Sequence, residues 1–201
     1  MEIETENNIE YFDAYSKALR KVCPELSDEE IDFMFQNITI IKLKAKELYV
    51  KTNEIQDNLA FCCKGLLRSF YINDKGEDIT IAFIKENNYA TDYSAFISQT
   101  PSTFSIETLE PSLLINVPYT SIKKSYSEFK TCEKYGRLVA ERHLIKTQNR
   151  INEFLFNNAE QRYINFISKN TDILNRISIT HLSSFLGIKR QTLTRIRKKL
   201  L

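Results

Sequence analysis

The segment from Ser178 to Leu201 constrains the fold more than any other part of this chain. Apolar residues with the three-four spacing of a helix face lie on both sides of Gly187: Leu182, Phe185 and Leu186 before it, and Leu193, Ile196 and Leu200 after it. Glycine adopts the positive φ that other residues reach only at a cost, and the small Ser183 lets a second helix cross closely. The spacing therefore predicts two helices joined by a tight turn, which is the geometry of a helix-turn-helix.

The same segment carries the positive charge of the chain. Residues 176–201 contain seven basic and no acidic side chains, whereas residues 1–175 contain 21 basic and 26 acidic ones. Basic residues at the start of a helix do not suit the helix dipole, which favours acidic residues there, so they indicate a polyanionic partner. A solvated basic tail is the alternative, and it accounts for Lys198 and Lys199 but not for Lys189 and Arg190.

Helical spacing places four polar residues opposite Leu193 and Ile196. Arginine can bind a guanine edge through two hydrogen bonds, and glutamine can bind an adenine edge in the same way. We therefore predict base contacts from Arg190, Gln191, Thr194 and Arg195. The flanking residues suit phosphate contacts, which position a protein without specifying sequence: Lys189, Thr192, Lys198 and Lys199.

The first half of the chain changes from a helical to an alternating apolar pattern. A helix is predicted over residues 9–22, and Ser27 with Glu30 forms a capping box before the next helix. From residue 38 to residue 117 the pattern predicts seven or more short strands, with a hairpin turn at residues 73–76. This number of strands favours a β-sandwich or barrel, and the long loops favour a jelly roll, so the predicted class is α+β.

After Pro118 the helical period returns. We predict a short helix over residues 119–126, a long one over residues 127–156 and a third over residues 159–169. The long helix has two stripes, of which one is assigned to the jelly roll and the other to the same helix of a second subunit. The predicted dimer seam comprises Tyr135, Leu138, Arg142, Ile145 and Asn149, and the second stripe comprises Leu144, Ile151 and Leu155. A long helix packed within one domain is the alternative.

Three domains follow from this order of elements. They are a jelly-roll sensor domain at residues 1–126, a dimerisation helix at residues 127–157 and a helix-turn-helix DNA-binding domain at residues 158–201. The acidic N-terminus is not a signal peptide, and no apolar run is long enough to span a bilayer, so we expect a cytoplasmic protein that does not contact membranes.

Cysteine and histidine placement argues against cofactors and catalysis. The four cysteines lack C-x-x-C spacing, so we expect free buried thiols. Metal oxygenases on jelly rolls need two or three histidines with a carboxylate on strands, whereas His143 and His181 fall on predicted helices. We therefore expect no metal, no cofactor and no enzyme activity.

In this order of elements the chain resembles the cyclic AMP receptor protein / fumarate and nitrate reduction regulator (Crp/Fnr) family of bacterial transcription factors. The most specific motif runs from residue 185 to 198 and matches the family at Gly187, Arg190, Thr192, Leu193 and Arg195. Gln191 stands where the family often has glutamate. The segment from residue 92 to 99 also looks like versions of this family common in Bacteroidetes. The resemblance implies a homodimer on a near-palindromic double-stranded DNA site, with RNA polymerase as a candidate further partner.

The effector region departs from the cyclic-nucleotide members of that family. Thr91-Asp92 stands at their Gly-Glu position, Ser102-Thr103 stands at their Arg-Ser position, and residues 86–122 contain no Lys or Arg. A buried phosphate there would lack a charged partner, so we expect cyclic nucleotides not to bind. A pocket for another small-molecule effector is left to Tyr89, Asp92, Tyr93, Thr103 and Ser105, unless these residues merely fill the roll.

The resemblance also excludes two other sensor types. The iron–sulfur members need an N-terminal cysteine cluster, and Cys23 stands alone; the haem members need an axial ligand in the sensor domain, where neither histidine lies. The rival function is a sensor or adaptor that acts through protein contacts without specific DNA binding.

Overall fold

The computed structural model describes the backbone of residues 2–200 and the side chains of residues 9–200. The helices are α1 (Glu2–Val22), α2 (Asp28–Phe35), α3 (Tyr93–Ser98), α4 (Tyr119–Glu128), α5 (Lys130–Phe156), α6 (Ala159–Lys169), α7 (Ile179–Phe185) and α8 (Arg190–Leu200). The strands are β1 (Thr39–Leu43), β2 (Leu48–Val50), β3 (Asn58–Lys64), β4 (Leu67–Ile72), β5 (Asp78–Ile84), β6 (Tyr89–Ala90), β7 (Ser105–Thr108) and β8 (Ser112–Pro118). In the part of the chain so described, no helix is both long and apolar enough to cross a membrane.

The strands form two antiparallel four-stranded sheets, so the α+β class is confirmed. One sheet has the order β1-β8-β3-β6, and the other has the order β2-β7-β4-β5. The predicted hairpin joins β4 to β5, where Gly76 has a φ of +75°. The predicted capping box is also present, since Ser27 and Glu30 exchange backbone–side-chain hydrogen bonds of 2.8 and 3.2 Å.

Strand β3 separates two apolar cores. Cys62 points into the core between the sheets, with Leu67, Ile106 and Leu114. Cys63 lies on the other side, at the edge of a core that β3 and β8 share with α1, α2 and α5. Adjacent residues of a strand face opposite sides of its sheet, so Cys62 and Cys63 mark which alternate positions of β3 face each core. All four cysteines are free.

The predicted break between the short and the long helix is present but lies at Phe129, so the long helix begins at Lys130 and not at residue 127. Phe129 is extended, with φ −132° and ψ 120°, and it separates α4 from α5. Its ring lies edge-on to Phe33 of α2 at a centroid distance of 5.2 Å. Phe129 is half-buried there, and edge-on aromatic pairs of this kind are favourable. The predicted boundary between residues 126 and 127 therefore falls inside α4.

Smaller differences concern short elements. The strand predicted over residues 103–109 is limited to Ser105–Thr108, and β6 and α3 were not predicted from the sequence. Asp92 is the N-cap of helix α3, and its carboxylate accepts a hydrogen bond from the Ala95 amide at 3.3 Å. Strand β6 has two residues and helix α3 has six, and both are too short to produce a periodic apolar signal in the sequence.

The third apolar core is shared between the C-terminal helices and the sheets. We call α6, α7 and α8 with their connections (residues 159–200) the helical unit. Its buried side chains, which include Tyr163, Phe166, Leu186 and Leu193, enclose Leu66, which precedes β4. Phe83 of β5 and Leu109 after β7 pack against the same cluster. The helical unit is therefore held directly on the outer side of the β2-β7-β4-β5 sheet.

Candidate nucleic-acid interface

The turn between α7 and α8 is built from local hydrogen bonds around a glycine. Ser178 caps α7 by accepting from the His181 amide at 3.0 Å. The amides of Gly187 and Ile188 donate to Ser184 O at 2.9 Å and to Ser183 O at 3.0 Å. Gly187 has a φ of +65°, as the sequence predicted.

A second requirement at Gly187 comes from α5. A Cβ at this position would lie 2.8 Å from Cε1 of Phe154, a contact too close to be accepted without a shift of the ring. Gly187 therefore also lets the turn sit against the aromatic end of α5. Sequence spacing alone indicated the first requirement and not this one.

Helix α8 has one buried and one exposed face. Leu193 and Ile196 are 0% and 7% exposed and hold the helix on the core of the helical unit. The four predicted base-contact residues are all exposed on the other side: Arg190, Gln191, Thr194 and Arg195. The hydroxyl of Thr194 donates to Arg190 O at 3.1 Å, which fixes it against the helix backbone. The structure thus brings these residues together on one accessible, acid-free surface.

The predicted phosphate-contact residues differ in their freedom. Lys189 and Lys198 are exposed, and Thr192 is half-buried. Lys199 already contacts a carboxylate, since its Nζ lies 2.9 Å from Glu160 Oε2 on α6. It would have to exchange this exposed ion pair for a phosphate, which costs little because such pairs are weak.

Two arginines outside the motif donate hydrogen bonds to the turn between α7 and α8. The Arg150 guanidinium of α5 stacks on Phe185 at 3.6 Å from the ring centroid and donates to the Phe185 carbonyl. Arg162 of α6 donates through Nε to Leu186 O at 3.1 Å and lies over Phe154 at 4.9 Å. Within the described side chains, Arg150 Nη1 has no hydrogen-bond partner, and burial lowers the pKa of Arg150 to about 10.

Sequence reasoning missed both arginines. Each contacts the turn across a wide separation in the chain, 35 residues for Arg150 and 24 for Arg162. The only available signal was their cationic character on helices expected to be amphipathic, and that does not distinguish them from solvated side chains.

The five predicted effector-pocket residues all make contacts within the protein. The Tyr89 hydroxyl lies 3.1 Å from that of Tyr15 and 2.6 Å from that of Tyr135, so it joins α1, β6 and α5. Burial raises the pKa of Tyr89 well above its ordinary value, so the hydroxyl stays neutral. Ser105 accepts from the Thr52 amide at 3.1 Å, and the Tyr93 ring lies 4.8 Å from that of His143.

Asp92 is satisfied inside the protein. Its buried carboxylate accepts hydrogen bonds from Thr103 N and Oγ1, both at 3.0 Å, and from Ser102 Oγ at 3.2 Å. Two surface clefts, of about 250 and 290 Å³, lie elsewhere, beside Tyr49 and beside Asn152. Tyr89, Asp92 and Ser105 thus make hydrogen bonds within the protein, and the effector pocket stays a prediction.

The predicted dimer seam is only partly available. Tyr135 is 6% exposed and packs on the core that β3 and β8 share with α1, α2 and α5, and Leu138 is half-buried at the edge of the same core. Arg142, Ile145 and Asn149 are exposed. Exposed apolar residues lie on both stripes of α5: Ile145 on the first, and Leu144, Ile151 and Leu155 on the second.

Structural comparison identifies proteins of the same architecture, whereas no protein-family model and no curated protein matches the sequence. FixK2 from Bradyrhizobium japonicum is 16% identical with a TM-score of 0.71, covering 81% of this chain and 84% of that one. A Crp/Fnr-family regulator from Eubacterium rectale is 18% identical with a TM-score of 0.67, covering 88% and 84%. Thermus thermophilus catabolite activator protein is 16% identical with a TM-score of 0.57, covering 89% and 85%. The chain therefore has the fold of transcriptional regulators of the Crp/Fnr family.

Proposed function

We propose that this protein is a homodimeric, sequence-specific DNA-binding regulator of transcription. The observation that carries the proposal is the exposed face of α8, on which Arg190, Gln191, Thr194 and Arg195 lie together while Leu193 and Ile196 anchor the helix. In this proposal α7 and α8 form a helix-turn-helix, the two sheets form a jelly-roll sensor domain, and α8 enters the major groove of DNA.

Two copies would place their α8 helices in successive major grooves, about 34–36 Å apart, and bind a near-palindrome. The exposed apolar stripe on α5 supports dimerisation. We further propose that the protein is cytoplasmic, that it contacts RNA polymerase and that it is similar to the versions of this family common in Bacteroidetes. Cyclic nucleotides are not the proposed effector, because an internal carboxylate, Asp92, occupies the donors at residues 102 and 103.

The test begins with selection of binding sites from a randomised double-stranded DNA library. Binding to the enriched site and to a scrambled copy is then measured at two salt concentrations. The double variant Arg190→Ala, Arg195→Ala should lose about 1–3 kcal/mol per lost bidentate contact on the enriched site, and less on the scrambled copy.

The double variant Lys17→Ala, Lys75→Ala is the charge-matched control, because both lysines are exposed on the surface of the rest of the chain. It should bind the enriched site like the wild type. Equal, mutation-insensitive binding to both DNAs would reduce α8 to a generic basic surface. Failure to enrich any site, with retained affinity for protein partners, would favour the adaptor function instead.

A further inference from the structure

One serine of the helical unit covers the edge of a sheet. Strand β5 is an outer strand of the β2-β7-β4-β5 sheet, so its outward backbone groups lack a neighbouring strand. The Thr80 amide donates to Ser184 Oγ at 2.9 Å, and the Ser184 hydroxyl donates to Asp78 O at 3.0 Å. A single hydroxyl on α7 thereby takes the place of a strand partner at two positions of β5.

A polar clamp lies at the other end of the same contact. Arg176, in the connection before α7, donates to Glu86 at 2.7 and 3.2 Å and to Glu110 at 2.6 and 3.2 Å. Its side chain is 25% exposed, and those of the two glutamates are 31% and 33% exposed. Fork-shaped pairing of this kind fixes direction as well as distance, which a lysine at the same place would not do.

The two carboxylates depend on Arg176. Burial alone would raise the pKa of Glu86, but hydrogen bonds from Arg176 and from the Gly65 amide outweigh it and keep the pKa below its ordinary value. The hydrogen bonds that Arg176 donates, to Glu110 first and then to Glu86, raise the pKa of Arg176. Moving the helical unit away would leave two acidic side chains facing each other without their shared cation. An exposed pair, Lys85 with Asp172 at 2.6 Å, adds a further link.

Between the serine and the clamp the contact is apolar. The Phe83 ring of β5 lies 5.2 Å from that of Phe185 on α7 and 6.0 Å from that of Phe166 on α6. The contact is therefore continuous from Asp78 to Glu86 along β5 and its exit. The predicted base-contact residues remain exposed throughout, so docking positions α8 without covering it.

From this geometry we propose that Arg176, Glu86, Glu110 and Ser184 form a latch by which the sheets set the position of the recognition helix. Closure of the latch fixes the separation of the two α8 helices in a dimer, and its opening releases α8 from that separation. The consequence for DNA rests on the proposed function, whereas the latch itself does not. The long helix α5 is thus one of two connections to the helical unit, and the sheet edge is the other.

Amide hydrogen exchange of the full-length protein tests the latch without DNA. In Arg176→Gln, exchange of the Thr80 amide and of residues 78–84 should accelerate about tenfold, because charge-assisted bonds are lost and β5 opens locally. Exchange in the inner strand β3 should not change. Arg20→Gln is the matched control, because it removes an arginine that pairs with Asp28 away from this contact.

Two further variants guard against a folding defect. Glu86→Gln with Glu110→Gln removes the clamp without leaving unpaired carboxylates and should accelerate β5 exchange as Arg176→Gln does. The triple variant should add nothing further, because the three residues act as one unit. Unchanged β5 exchange in the clamp variants, with exchange in β3 also unchanged, would overturn the latch.

A DNA arm then separates the latch from the proposed function. The clamp variants should lose about tenfold in affinity for a site with two half-sites at the native spacing and stay within about twofold on a single half-site. Unchanged or higher affinity for the two-half-site DNA, despite faster β5 exchange, would overturn the claim that the closed latch sets the binding geometry. Absence of DNA binding by the wild type would count against the proposed function only, because the exchange measurement still decides the latch.

Discussion

At the scale of single residues, Gly187 illustrates how one position meets two independent demands. Its φ of +65° is a backbone demand, and the Phe154 ring at 2.8 Å from an added Cβ is a packing demand. Gly76 in the β4–β5 hairpin has a similar φ of +75° but open space around it. The two glycines therefore allow the two demands to be separated.

We expect Gly76→Ala to cost about 1–2 kcal/mol of unfolding free energy, the usual penalty for a side chain in the left-handed region. Gly187→Ala should cost a further 1–3 kcal/mol or so, because the methyl group meets an aromatic ring that Arg150 and Arg162 hold in place. Urea unfolding of the two variants measures the difference. Equal losses would mean that the Phe154 ring moves aside freely.

His181 of α7 makes a pH-dependent contribution to stability where the helical unit packs on the β2-β7-β4-β5 sheet. Burial lowers its pKa below the ordinary value of about 6.5, and the nearby Arg68 cation lowers it further, against Asp78 and Glu107. A histidine with a lowered pKa binds fewer protons folded than unfolded. Its contribution to stability is therefore complete above pH 6.5 or so and is lost as the pH falls from there towards the folded pKa.

We expect the wild type to lose stability on acidification through this window and His181→Gln to lose less. His143→Gln is the comparison variant and should also lose less, because the pKa of His143 is lowered too, by burial first and then by Lys146, although its ring stacks on Tyr93 away from β5. Thermal unfolding across pH 7.5 to 5 compares the three proteins. A His181→Gln curve parallel to that of the wild type would contradict the assignment.

Residues in local patterns were predictable, and residues in distant contacts were not. The exposed face of α8 follows from helical periodicity over eleven residues, and the capping box from a spacing of three. Ser184, Arg176 and Arg150 contact partners 104, 66 and 35 residues away, and nothing in their own neighbourhood marks them. The predicted effector residues are close in sequence or in the sheets, but their residue types did not indicate that Ser102 and Thr103 donate hydrogen bonds to Asp92.

At the scale of elements, α5 has distinct ends and an uncovered middle. Its start packs on the sheets through Cys132 and Tyr135, and its end supports the α7–α8 turn through Arg150 and Phe154. Residues 141–149 between these ends are all exposed, although the ring of His143 contacts that of Tyr93. Apolar residues on an exposed helix indicate a further partner, and a second copy of α5 is the partner in our proposal.

We predict that Leu144→Asp, at a leucine that is 67% exposed, weakens dimerisation about 100-fold or more, because two copies of the leucine lose their burial. Lys146→Asp lies about 200° further round the helix and should leave the dimer intact. Sedimentation velocity with circular dichroism distinguishes dissociation from unfolding. A Leu144→Asp variant that remains dimeric would place the seam on Ile145 and Asn149, as the sequence first indicated.

The break between α4 and α5 shows where periodicity fails at this scale. Residues 119–156 contain no internal proline, so the sequence predicted a short and a long helix but placed the break between residues 126 and 127. The break is caused by Phe129 packing on Phe33, a residue about a hundred positions earlier in the chain. Element type was therefore predictable here, whereas the exact boundary depended on tertiary packing.

At the scale of the whole molecule, the order of sheets, long helix and C-terminal helices was predictable because strands and helices differ in apolar period, and Gly187 separates the last two helices. How the parts sit on one another was not predictable, since the docking contact uses single polar residues spread over the chain. The predicted three-domain division at residues 126 and 157 treats the helical unit as separate, whereas the latch and the shared core attach it to the sheets.

The shared core has a consequence for modularity. Leu66, with no exposed surface, is an inner residue of the helical unit even though it belongs to the sheets, and Phe83 and Leu109 complete the same cluster. In a chimaera that joins residues 159–200 to the sheets of another regulator, the side chains at the positions of Leu66, Phe83 and Leu109 would not fit this cluster. Substitutions on the exposed side of α8 therefore leave this packing untouched, whereas substitutions at Leu193 or Ile196 alter a cluster that Leu66, Phe83 and Leu109 share.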